Sequence, residues 1–137
     1  MPTSQSTMAE QVANAAISFQ FERTGHAPRA ATVVLSGDTL VITLHEALSQ
    51  AERMLASSPE GAASVQEFHR QLFATSSDSL RREIKRITGV QVREAAVEIE
   101  LQSGTVVHAF TSGTMVQVFQ LTQGISNEAW NMTVTSP

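Results

Sequence analysis

Between Thr24 and Leu55 the chain reads TGHAPRAATVVLSGDTLVITLHEALSQAERML, and no other stretch constrains the fold as tightly. Thr32, Val33 and Val34 are β-branched, and their stiff side chains suit a pleated surface. Leu40, Ile42 and Leu44 fall two apart, so they share one face of a strand and leave Val41 and Thr43 on the other. Ser36-Gly37-Asp38 between the two runs supplies residues that accept the left-handed backbone of a tight turn. The pattern predicts a β-hairpin. Ser49 followed three residues later by Glu52 is a capping-box signature, so the second strand is expected to run into a helix from Ser49 to about Ser57.

Around this core the chain falls into further periodic segments. Residues 1 to 7 are polar and are expected to lack order. From Met8 to about Arg23 the spacing is helical, with Val12, Ala15, Ala16 and Phe19 on one stripe. Ile17 and Phe21, four apart, form a second apolar face. Either the domain covers both faces itself, or the second packs on a partner copy, which makes Ile17 and Phe21 the dimer candidates. Gly25 and Pro28 end this helix. Ser58-Pro59-Glu60-Gly61 breaks the next one. A helix then starts near Gly61 to Ser64, with Val65, Phe68 and Leu72 as its stripe, and the stripe resumes with Leu80, Ile84 and Ile87. The polar interval Thr75-Ser76-Ser77-Asp78 marks either a kink or a second helix start, and Thr88-Gly89 is a stop.

Val97, Ile99 and Leu101 alternate with Glu98, Glu100 and Gln102, the pattern of a half-buried strand. Ser103-Gly104 turns the chain and Thr105 to Thr111 returns, giving a second hairpin. Thr114 to Leu121 fits either period and is read as a strand. Gly124 to Pro137 is a polar tail in which Trp130 is a docking anchor. These elements make an α+β domain of two layers, an antiparallel sheet built from two hairpins with helices packed on one face. The domain spans 8–121, and 122–137 is a C-terminal extension.

A chain of 137 residues suffices for one domain with its own core. The absence of cysteine excludes disulfides, thiol catalysis and thiolate metal sites. A net charge of −4 argues against nucleic acid as a partner, since that binding is driven by phosphate neutralisation. No apolar run approaches the roughly 18 residues of a membrane span. The start of the chain lacks the basic and apolar regions of a secretory signal. The expectation is a cytoplasmic protein with no membrane span. With no tyrosine and a single tryptophan, a site of stacked aromatics has no material.

Catalytic constellations are hard to assemble. His26, His45, His69 and His108 include no pair at the i, i+4 spacing of a helical zinc site. No serine sits in a Gly-x-Ser-x-Gly elbow. Glu98 and Glu100 share the wet face of a strand, where solvation is their role. Gly25, Gly37 and Gly61 are isolated and form no phosphate loop. No catalytic, cofactor or metal residue is therefore assigned, and the chain is read as non-enzymatic. Arg81, Arg82, Lys85 and Arg86 hold four of the nine basic residues within six positions, opposite Leu80, Ile84 and Ile87 on a helix. Such a face is either plain solvated surface or a dock for an acidic partner or an anionic membrane leaflet. His26, Arg29 and Arg53 are the candidates for a small-molecule or anion site.

The order of these motifs carries a resemblance. Thr24-Gly25-His26-Ala27-Pro28, then Asp38 to Leu44, Leu48 to Leu55, Phe68 to Phe73 and Ile84-Lys85-Arg86-Ile87-Thr88-Gly89-Val90 together resemble the MpsC-like family, of the sodium-translocating membrane-potential-generating system. The likeness covers roughly residues 12 to 111, and Glu52-Arg53 and Ile87-Thr88-Gly89 are its most specific parts. The family shows Gly-Arg-Gly-Pro where this chain has Gly25-His26-Ala27-Pro28. The resemblance implies the soluble component of a membrane cation and bicarbonate uptake system. It brings no catalytic residues. It implies an accessory or regulatory subunit, read here as a homodimer with a membrane transport protein as partner. A small-molecule or anion sensor is the alternative.

Overall fold

The computed structural model describes residues 5–100 and 114–135. The hairpin forms as the alternation dictates. β2 (Ala30–Ser36) and β3 (Thr39–His45) pair antiparallel, from Ala30 opposite His45 to Ser36 opposite Thr39. β5 (Thr114–Leu121) pairs with the other side of β3, and β4 (Val92–Glu100) pairs with β5. The order β2-β3-β5-β4 makes one antiparallel four-stranded sheet.

Helices lie on one face of it. α1 (Met8–Thr24) packs on β2, α3 (Pro59–Ser76) packs on β4, and α4 (Asp78–Thr88) packs along α1. α2 (Gln50–Leu55) is a short connector lying against α3. Leu40, Ile42 and Leu44 of β3 and Met115, Phe119 and Leu121 of β5 are buried beneath the helices with Val12, Ala16 and Phe19 of α1. An aromatic chain joins the layers. Phe19 meets Phe73 edge-on at 6.5 Å, and Phe73 meets Phe119 at 5.9 Å. On the other face, Val34 and Thr32 are exposed, and Val41, Thr43, Val116 and Val118 are half-buried.

Local chemistry explains the helix ends. Thr24-Gly25 and Thr88-Gly89 stop α1 and α4 in the same way. Each threonine hydroxyl donates to the carbonyl four residues back and accepts from the backbone N–H two residues on, while the glycine takes φ near +77° or +78°. Ser58 caps α3 with Pro59 in its first turn, so the apparent breaker is also a start. The helices over 59–88 are two, joined at the buried Ser77.

Several expectations need correction. Of the segment 1–7, Gln5, Ser6 and Thr7 are described, and they take part in regular structure. β1 (Gln5–Ser6) pairs with β6 (Val134–Thr135), and Thr7 and Glu10 form a capping box for α1, the same signature as Ser49 and Glu52. The C-terminal extension needs no such correction, since it folds back with Trp130 as its anchor. α5 (Asn127–Asn131) rests on α1 and buries Trp130. β4 begins five residues before Val97 and pairs with β5, while the return segment expected beside it, 105–111 with His108, is not among the described residues, and neither is Ser103-Gly104. On α3 the buried line is Gly61, Val65, His69 and Phe73, a strict spacing of four, and Phe68 is left 54% exposed.

Two positions give direct tests. A Cβ on Gly61 would stand 1.8 Å from the Leu55 carbonyl oxygen, so the α2–α3 elbow closes only on glycine. Gly61→Ala should lower the unfolding free energy in urea by about 1–3 kcal/mol, although alanine is the better helix former. An unchanged midpoint would show that the elbow yields. Gln117 is fully buried on the core face between Ile42 and Val97, and its amide has no hydrogen-bond partner among the described residues. Replacing it with methionine should raise stability by about 1–2 kcal/mol in the same assay, and a loss would mean the amide is satisfied in solution.

Candidate functional site

Three groups of polar residues stand out, each placed by a different element. At the open end of the β2–β3 hairpin, Glu46 follows β3 in the left-handed region at φ 53°, rare for a residue with a side chain. Its neighbours hold it there. His26 Nε2–H donates to its carbonyl at 2.9 Å, and its carboxylate pairs with the Arg29 guanidinium. The Arg29 backbone N–H donates to the His45 carbonyl, and the His45 ring lies 2.8 Å from the Thr32 hydroxyl. His26 and Arg29, both ligand candidates, thus converge, but on Glu46, which neutralises the arginine. Arg53 is exposed on α2 and shares no hydrogen bond or ion pair with them. Glu46 gave no signal in the sequence, because a single glutamate after a strand is unremarkable.

The basic face of α4 is split by its own packing. Leu80 and Ile84 are buried, which turns Arg82 and Lys85 to solvent. Arg86 is taken by Glu83, one turn back, through contacts of 2.6 and 3.1 Å. Hydrogen bonding from Arg86 holds the Glu83 carboxyl below its usual range, and the same contact raises the guanidinium's pKa. Arg81 is half-buried, with its Nε enclosed and unpartnered. Arg23 anchors α1 to this helix. Its guanidinium lies 4.8 Å from the Phe19 ring centroid and donates to Ser79 Oγ at 2.7 Å. Of the dimer candidates, Ile17 packs on the core at half burial, while Phe21 is 52% exposed.

The third group is internal. Glu52 Oε1 accepts from the Ser49 backbone N–H at 3.0 Å and from its hydroxyl at 3.1 Å, closing the capping box of α2. Its other oxygen lies 2.5 Å from Nε2 of His69 on α3, a ring only 2% exposed. The imidazole N–H donates to the carboxylate in either protonation state. Serine, carboxylate and histidine therefore form a chain, but the carboxylate is central. The Ser49 hydroxyl donates to Glu52 and does not meet the imidazole, so the order is not that of a hydrolytic triad. The arrangement ties α2 to α3. Burial works against the Glu52 charge, but the Ser49 N–H and the imidazole outweigh it, and its pKa lies below the ordinary value. His69 was missed because a stripe through Val65, Phe68 and Leu72 fits helical spacing equally well.

Residues 4–113 match the family model for the Na+-translocating membrane potential-generating system (MpsC). The chain belongs to the MpsC family. No curated protein and no solved structure matches it. The family's name ties this MpsC chain to a membrane sodium system, and among the described residues no helix is long and apolar enough to cross a membrane. Among the same residues no three histidines or carboxylates gather as a metal site.

The Glu52 contacts set a pH dependence. Because the folded carboxyl releases its proton more readily than the unfolded one, its stabilisation is complete above the ordinary carboxylate pKa of about 4.3. It drains away as pH falls through the lower folded value. The stability gap between the native chain and Glu52→Gln, followed by urea denaturation, should shrink as the pH falls below about 4. A gap that stays the same from pH 4 downward would contradict this assignment.

Proposed function

We propose that this MpsC-family protein is a non-enzymatic cytoplasmic accessory subunit. In this reading it works as a homodimer and docks on a membrane protein of a cation and bicarbonate transport system. The family's name supports the membrane sodium part of this reading. The observation that carries the docking surface is the pair Arg82 and Lys85, exposed on the side of α4 turned away from the buried Leu80 and Ile84, on a chain whose net charge is −4. Cations kept clear of internal carboxylates are the ones left to meet an acidic loop or headgroup surface. Arg86 contributes less, since Glu83 already faces it. The structural use of Glu52, as a cap and as the partner of His69, supports the non-enzymatic reading. A sensor at His26 and Arg29 has less behind it, because Glu46 occupies the guanidinium.

Each basic group near an anionic surface is worth about 1 kcal/mol. Arg82→Glu with Lys85→Glu should therefore lower recovery of the chain with its host's membrane fraction roughly tenfold or more at low salt. Added salt should weaken the native association in parallel. Arg29→Glu, at the open end of the hairpin and off α4, should leave recovery unchanged. Equal recovery of the α4 double variant and the native chain would sink the docking surface.

A further inference from the structure

The two edges of the sheet differ in kind. β4, the outermost strand on one side among the described residues, reads VREAAVEIE, with four charged residues and a register break between Val92 and Glu94. Charge and irregularity of this sort discourage a further strand. β2, at the other edge, reads AATVVLS. It is seven residues long, has no charge and no proline, and keeps an unbroken register with β3 throughout. Among the described residues no strand lies on its outer side. A strand in that state presents a row of unpaired N–H and C=O groups with nothing to turn a neighbour away.

We propose that the β2 edge is where two copies of this chain join. The β2 strands pair antiparallel about a two-fold axis through Val33, and the two sheets become one of eight strands. A second copy fits for reasons of charge and of phase. Two neutral edges meet without like-charge repulsion, which matters on a chain of net charge −4, whereas two β4 edges would bring like charges together. Reversal about Val33 keeps Ala31, Val33 and Leu35, the positions packed against the core, on the same side in both copies. Thr32 of one copy then stands opposite Val34 of the other on the open face. Because α1 packs on β2, the same axis sets the two α1 helices beside the seam, and α1 carries the exposed Phe21. This inference rests on the homodimer in the reading above and adds the surface.

The test uses the full chain and its Thr32→Lys, Val34→Lys double variant, with Glu94→Lys as the control at the other edge. Thr32 and Val34 are both exposed, so the monomer tolerates lysine there. Analytical ultracentrifugation over a dilution series should show a dimer for the native chain and for the control. The double variant should dissociate on the order of a hundredfold more readily, with unchanged far-UV circular dichroism. Independently of any variant, amide exchange in 30–36 of the native chain should slow when its concentration is raised through the dissociation midpoint. A dimer that survives the two lysines and leaves 30–36 unprotected would overturn the edge while leaving the homodimer standing. A native chain that stays monomeric at every concentration would overturn both. Protection of 30–36 only on adding host membrane extract to a monomeric chain would assign the edge to a foreign strand and overturn the second copy.

Discussion

The pairing of β3 with β5 is the constraint on which the rest depends. Residues 39–44 meet 115–120, joining segments some 75 positions apart, and this single ladder turns two local strand pairs into one sheet. It sets Leu40 beside Phe119 and Leu44 beside Met115 on the face that the helices cover. Phe119 then supports Phe73, and Phe73 supports Phe19, so α3 and α1 take their places from a strand contact. Bringing such distant segments together costs chain entropy that only the buried side chains at the contact can offset.

How much of this was legible follows from how local each signal is. The β2–β3 hairpin, the Ser49–Glu52 cap and the glycine stops are written within a few residues of one another, and they form as read. Thr7 and Glu10 carry the same cap signature, but a polar N-terminus looked like a disordered one. That β5 would lie beside β4 was not legible. Strand alternation shows which side of a strand faces the core and says nothing about which strand lies next to it. Phe68 and His69 were exchanged for a related reason. A helical stripe drawn at three-and-four spacing and one drawn at strict fours part by one residue after Val65, and hydrophobicity favoured the phenylalanine. The structure buries the histidine because Glu52, 17 residues earlier, supplies the hydrogen bond that a buried imidazole needs.

The candidate site illustrates the same limit with charge. Counting basic residues finds α4, yet it cannot tell that Glu83 has taken Arg86 or that Arg81 is half enclosed. What remains open to a partner is Arg82 and Lys85. The ligand candidates shrink likewise, since Arg29 and His26 hold Glu46 in a left-handed conformation that would otherwise be strained. Polar groups that looked functional in the sequence turn out to hold loops and helix ends. Arg82 and Lys85, on the outward side of α4, have no such structural duty among the described residues.

Lys85 is the chain's only lysine, which makes the central claim directly measurable. An amine-reactive crosslinker applied to the protein in its host's membranes can attach internally only there. The account predicts crosslinks from Lys85 to an integral membrane transport protein, identified by mass spectrometry. Lys85 crosslinked only to other copies of this chain, while the transport protein is present in the same membranes, would contradict it.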